Sequence, residues 1–318
     1  MKWRGKMQRN ILSIDFESWV HFHSDATKSD SLKNRFTLTG NDENYVTEMT
    51  RKILDLLDTY GQKATFFIVS ELYSFFPECI ELIHERGHEI AYHTHSHSVL
   101  TGGAKQLLAE FEKSKKFLAR FKPIGFRAPY NYVTQDAIDC LAAMGFRYSS
   151  SSYDLEERIF LDGIHEIPVA TRQMWSTKET RDGKPFIRTT RFPKHLILKL
   201  LLTKIPFGSG FFISLLGGNT SKFIEGFNER GRPAVLFVHP WQLYHHPRIS
   251  GWKFKAKVLL KNPFCLPYTK CILKTMHQLL KRHRFTSFKE YYKYDNANGK
   301  SDVLGPQDYR MGKLDPGL

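Results

Sequence analysis

Four short strings carry the residues that could do chemistry. In His93-Thr-His-Ser-His97 two imidazoles stand four positions apart. That spacing lets both approach one metal ion from a single helical turn, and imidazole is a good zinc ligand. Such an ion needs a carboxylate as third ligand and an open position for water. Asp15 and Glu17, in the string SIDFES, are the nearest carboxylates to expect beside it. The histidine string also reads as a polar loop of exposed side chains, with His95 either a further ligand or pointing away.

The third string is Gly125-Phe-Arg-Ala-Pro-Tyr130. A proline forces extended backbone before it, which fixes the directions of Arg127 and Tyr130. A guanidinium can grip a carboxylate through two parallel hydrogen bonds, a suitable way to orient Asp15. An ordinary structural turn is the competing reading. In the fourth, Leu236-Phe-Val-His239-Pro-Trp241, a histidine ends an apolar run. It is either a packed, hydrogen-bonded residue or a general acid, since imidazole titrates near neutrality. Trp241 beside it offers a flat face for a sugar ring.

The elements that must position these residues alternate between two periods. Asn10–Phe16, Ala64–Val69, His88–Tyr92, Gly125–Arg127 and Ala234–Val238 read as strands, with Tyr148–Ser149 and Glu166–Val169 as further candidates. Between them Val46–Tyr60, Pro77–Arg86, Ala104–Phe121 and Thr134–Met144 have helical spacing, three of the four closed by a following glycine. Repeated βα units imply a parallel sheet, as a barrel or doubly wound. The candidate residues fall just after strands, at the carboxyl ends where such folds place their active sites. The pattern weakens over residues 171–231, read as an insertion into one domain of residues 1–295, and residues 296–318 read as a flexible tail.

Bulk properties narrow the class. Hydrophobic residues make up 41% and charged residues 25% of the 318, the composition of a folded globular protein. The formal charge of +15 attracts polyanions, whether nucleic acid, anionic lipid or an acidic sugar, although a solvated surface also gives it. No nucleic-acid-binding motif accompanies it, so no nucleic acid is expected. The basic segment Thr269–Arg284 could rest on anionic membrane lipid or meet a diphosphate, or be an ordinary surface helix. Cys79 and Cys140 read as small apolar groups in helices, and the spacing of Cys265 and Cys271 decides no pairing. The start, MKWRGKMQRN, is basic but has no apolar signal core, and Leu196–Gly218 is too interrupted to span a bilayer. The expected location is cytoplasmic, or peripheral at the inner face of the membrane.

In order, SIDFES, EIAYHTHSH, GFRAPY and FVHPW resemble the polysaccharide deacetylase (NodB-homology) family, most of all its branch with DVEDW-like first and HPWE-like last motifs. GFRYSSS, HEIPV and LTKIPFGSGFF resemble that branch too, and the likeness runs from Ile11 to Tyr244. The resemblance implies an α/β fold, a distorted (β/α) barrel of about seven units. It implies a divalent metal, zinc with cobalt or manganese as alternatives, and hydrolysis of N-acetyl groups on an amino-sugar glycan. The lack of a signal core favours a cytoplasmic or membrane-facing precursor of it, lipid- or nucleotide-linked, as the expected substrate. Carried over by position, Asp15 would be the general base, Glu17, His93 and His97 the metal ligands, and Arg127 the residue orienting the base. The Tyr130 amide would hold the oxyanion, and His239 would be the general acid. Ser18, Ser149 and Gln242 stand where the branch carries acids, so altered substrate, weaker metal binding or lost catalysis are the consequences to test. A carbohydrate-binding relative of low activity, or a hydrolase of another non-peptide amide, would fit the same motifs.

Overall fold

The computed structural model describes residues 9–155, 158–159, 163–173 and 204–297. Its strands are β1 (Asn10–Phe16), β2 (Thr65–Ile68), β3 (Glu89–Tyr92), β4 (Gly125–Phe126), β5 (Tyr148–Ser149), β6 (Arg158–Ile159), β7 (His165–Glu166), β8 (Arg172–Gln173), β9 (Lys204–Ile205), β10 (Val235–Val238) and β11 (Phe285–Thr286). The main sheet runs β10-β1-β2-β3-β4-β5-β7-β6, with β11 pairing the start of β1. All neighbours from β10 to β7 are parallel, and only β6 is antiparallel. Seven parallel strands thus make a curled sheet with helices outside.

The ring is completed by backbone rather than by an eighth strand. Ile167 and Val169 continue past β7, donating to the carbonyls of Ser149 and Ser152. Ala170 N–H then reaches Val235 O at 3.0 Å, Gly208 N–H bonds Ala170 O, and Phe237 N–H bonds Gly208 O. This close approach needs glycine, because a Cβ at Gly208 would lie 2.1 Å from Val235 O. The short pair β8–β9 projects from this seam.

Strand alternation sorts the core into two shells. Ile11, Phe67, Ala91, Tyr148, Ile167 and Val235 point into the barrel and pack with Phe288. Leu12, Ile14, Phe16, Phe66, Ile68 and Tyr92 point outward to the helices. Helix Tyr45–Thr59 shows why its sequence is helical: Val46, Met49, Ile53, Leu54 and Leu57 are buried along one face.

Most expected elements sit within a residue or two of their observed bounds. The single helix expected over Ala104–Phe121 is instead two, Gly103–Lys113 and Lys115–Phe121, joined at Ser114. There the Ser114 hydroxyl bonds Glu110 O, Ser70 and Tyr92, tying the break to the barrel wall. The helices Trp19–Thr27 and Ser31–Thr39, after β1, have no counterpart in the sequence reading. Helix Leu273–Arg282 lies inside the basic segment, but its apolar residues Met276, Leu279 and Leu280 are buried in the core. Residues 174–203 of the expected insertion and 298–318 of the expected tail lie outside the described residues. Among the described residues, no helix is long and apolar enough to cross a membrane.

Candidate active site

Period-two alternation explains why these residues converge. Ile11 faces the barrel interior, so Asp15 and Glu17 carry the same inward parity along β1 and just beyond it. Ala91 and Val235 point inward in the same way, which brings His93 and His239 to the top of the barrel one step past β3 and β10. All four side chains are nearly removed from solvent, His239 being the most open at 12%.

One cluster is built from Glu17, His93 and His97, whose ligand atoms all lie within 4.8 Å of one another. Glu17 Oε1 is 3.1 Å from His97 Nε2 and 3.6 Å from His93 Nε2, yet neither carboxylate oxygen has a hydrogen-bond partner. Donor atoms bound at about 2.0–2.2 Å to one tetrahedral ion lie roughly 3.3 Å apart, so this spacing and these orphaned oxygens fit a divalent cation. Burial works to raise the Glu17 carboxyl. The His97 imidazole, with contacts from His93 and a contribution from His239, outweighs it and holds Glu17 well below the usual range. His93 Nδ1–H donates to Arg127 O at 2.6 Å, which leaves Nε2 as the free donor atom facing Glu17.

The two histidines do not meet through a helical turn, as the spacing suggests. They bracket a loop in which Thr94 (φ 63°) and His97 (φ 52°) are both left-handed. Glu110, on helix Gly103–Lys113, holds that loop by accepting from the backbone N–H groups of His95 and Ser96 at 2.8 and 2.9 Å. The His95 ring turns away from the cluster to Ser70 Oγ, 3.0 Å off.

Asp15 forms the second part. Its Oδ1 accepts from Arg127 Nη1 at 2.6 Å, and its Oδ2 lies 4.0 Å from His239 Nε2. The expected two-pronged grip is absent. Nη1 is shared between Asp15 and Ser13 Oγ, whereas Nη2 and Nε bond Ser150 Oγ and Ser150 O. Inside a barrel the guanidinium must satisfy donors on every side, and one carboxylate cannot take them all. Phe67 and Phe237 rings at 4.2 and 5.0 Å complete its shell.

Trp241 does not offer a face to a sugar. It is 3% exposed, with one contact stacked on His239 at 4.5 Å and another on Phe22 at 5.1 Å. Its position inside helix Pro240–Leu243 turns the indole into the wall behind the histidine. Tyr130 is the open aromatic instead: 43% exposed, left-handed at φ 56°, 5.1 Å from the His97 ring, with its hydroxyl bonded to Asp25.

Four supporting residues escape the sequence reading. Besides Glu110, His21 packs 5.9 Å from His97 and bonds Glu71 at 2.8 Å, and Tyr268 lies edge-on 5.4 Å from His239. Asp25 anchors Tyr130. Glu110 had a signal, an acid on the apolar stripe of Leu107 and Phe111, but Tyr268 comes from an irregular stretch with none.

Comparison with known proteins bears on this arrangement. Residues 28–149 match the family model for polysaccharide deacetylase. Over that segment the chain is similar to the polysaccharide deacetylase family. Residues 184–293 match a second model, a domain of unknown function (DUF3473). His93, His97 and Arg127 therefore come from the deacetylase match and His239 from the other, while Asp15 and Glu17 precede both. A peptidoglycan-N-acetylglucosamine deacetylase of Bacillus cereus is 30% identical over 141 residues, 43% of this chain and 51% of that protein. A chitin deacetylase of Pestalotiopsis sp. is 26% identical over 132 residues, 39% and 43% of the two chains. The chain spans about half the length of the curated relatives it matches. A Mycobacterium smegmatis structure assigned to the polysaccharide deacetylases shares the fold, with a TM-score of 0.57 at 18% identity over 96% of this chain and 97% of that one. The (β/α) barrel of seven parallel strands is thus the deacetylase fold.

Proposed function

We propose that the protein is a metal-dependent hydrolase that removes N-acetyl groups from an amino-sugar glycan or its lipid- or nucleotide-linked precursor. The observation that carries this reading is a buried carboxylate, Asp15, and an imidazole, His239, standing 4.0 Å apart beside the Glu17/His93/His97 cluster. Amide hydrolysis asks for that combination: a base for the attacking water and an acid for the departing amine.

Glu17, His93 and His97 would hold the cation, zinc being the best match to two nitrogens and an oxygen. When bound, it acidifies water and polarises the acetyl carbonyl. Asp15 takes the proton of the attacking water, and Arg127 with Ser13 keeps its carboxylate aimed. The Tyr130 N–H is the donor for the developing oxyanion, an interaction worth about 3–4 kcal/mol in other enzymes. His239 gives its Nε2 proton to the leaving nitrogen, so acetate and a free amine depart. Asp15 and His239 are thus the catalytic residues, Arg127 a positioning residue, and Tyr130 a backbone donor.

The test is acetate release from free, nucleotide-linked and lipid-linked acetamido sugars, with and without added zinc. Asp15→Asn should lose at least about 10²-fold in turnover while keeping its metal, and His93→Ala should lose metal as well. Full activity in Asp15→Asn would remove the base assignment. Metal binding without acetate from any of these sugars would leave a carbohydrate binder.

A further inference from the structure

The helix Trp252–Lys261 has two apolar faces. Phe254 and Val258 are buried in the core, as an ordinary surface helix requires. Trp252, Ala256, Leu259 and Leu260, at positions i, i+4, i+7 and i+8, form a second stripe on the opposite side. Nothing in the described protein covers it: Trp252 is 75% and Leu260 83% exposed, and Phe264, just beyond the helix, adds a further open ring. Lys253, Lys255, Lys257 and Lys261 flank the stripe, and the sequence holds no Asp or Glu between Glu229 and Glu290.

We infer that this face docks the protein on a bilayer carrying anionic lipid. A tryptophan and leucines bordered by lysines match the acyl–headgroup boundary, where apolar side chains insert and long cationic ones reach back to phosphate. An acid-free stretch around an apolar stripe is complementary to an anionic surface. A helix of ten residues buries too little to insert by apolar area alone, so both terms are required.

The helix that carries the docking face stands at the rim of the candidate site. Asn262, which ends the helix, donates to Asp25 O at 3.1 Å, and Asp25 accepts the Tyr130 hydroxyl. Phe254 packs on Phe22 at 5.9 Å, and the following turn carries Tyr268 to His239. Docking would therefore hold the mouth of the barrel close to the membrane surface, within reach of a lipid-anchored sugar. That last consequence rests on the deacetylase reading, whereas the docking does not.

The experiment is co-sedimentation of the full chain with vesicles of phosphatidylcholine alone, or with about a third phosphatidylglycerol. Binding is expected only to the anionic vesicles, falling as salt rises. Trp252→Ala/Leu260→Ser and Lys253→Glu/Lys257→Glu should each cut partitioning by about tenfold or more. Lys274→Glu/Lys281→Glu, on a basic helix whose apolar face is already buried, should leave it unchanged. Because all these side chains are exposed, thermal melts should match the unmodified protein. Absence of binding to anionic vesicles, equal loss from the Lys274/Lys281 control, or self-association through this face would overturn the proposal. Acetate release in detergent-free solution is read separately, so failure of the chemistry and failure of the docking are distinguishable.

Discussion

Gln242 decides how His239 is presented. Its Oε1 accepts from the His239 backbone N–H and faces Nδ1, both at 3.1 Å, while its Nε2 donates to Gly210 O and Ser214 Oγ. Because Gly210 O can only accept, the amide has one orientation, and His239 Nδ1 must carry a proton throughout, so the proton given to the leaving nitrogen is a second one, held on Nε2. Nε2 is left facing Asp15 and Glu17. A Cβ at Gly210 would lie 2.2 Å from Gln242 Oε1, so the glycine is part of the device. Gln242→Ala should lower kcat by about 10–100-fold with KM nearly unchanged, since the imidazole loses its direction and not its chemistry. Steady-state kinetics at constant metal content would check it, and an unaltered kcat would show that Trp241 stacking alone suffices. From the sequence Gln242 reads as an absent acid. The structure gives it a positive task, because hydrogen-bond partners distant in the chain cannot be seen in a local motif. Ser18 is similar: its hydroxyl is spent on Asp42 at 3.1 Å, away from the cluster.

At the scale of elements, the loop from His93 to Ser98 depends on an acid outside the Glu17/His93/His97 cluster. Glu110 accepts two backbone N–H groups and the Ser96 hydroxyl, compensating a segment with two left-handed residues and no regular hydrogen bonding of its own. Replacing Glu110 by Ala removes the oxygen that both N–H groups share. Zinc affinity should fall by about 10–100-fold with little change in circular dichroism, measurable by competition with a chromophoric chelator. The strands and long helices were legible because their periods of 2 and 3.6 are local properties. The loop was not: His93 and His97 have helical spacing, but their conformation is set by Glu110, more than ten residues along the chain. Trp241 failed as a sugar platform for the same reason, since Phe22, which takes one of its faces, comes from the first helix.

For the whole molecule, stability has a built-in acid limit. His88 precedes β3, with Nδ1 accepting the Ala64 N–H and Nε2 buried without a partner. Burial, with Lys63 nearby, pushes its imidazole down from 6.5 to about 4. Between those values the unfolded chain binds a proton that the folded one refuses. Its contribution is therefore complete above pH 6.5, is lost as pH falls toward 4, and changes no further below. The shift corresponds to roughly 3 kcal/mol. Thermal melts from pH 7 to 4.5 should show the decline, and His88→Gln should flatten it; identical slopes would assign the decline to other groups. At this scale the parallel α/β class followed from the order of βα units, and barrel closure followed only from the resemblance. Closure rests on backbone contacts of Ala170 and Gly208, which no periodicity announces.

The seam has a further consequence. The chain leaves the ring at Arg172 and returns at Ile205, and these two residues are paired partners in β8–β9. Exit and entry are therefore neighbours, and the ring is sealed by residues on either side of them. Such a junction works as a socket: lengthening or exchanging the intervening stretch leaves β10, and with it His239, anchored where it stands. A lineage could thus vary that stretch while inheriting the frame that holds His239.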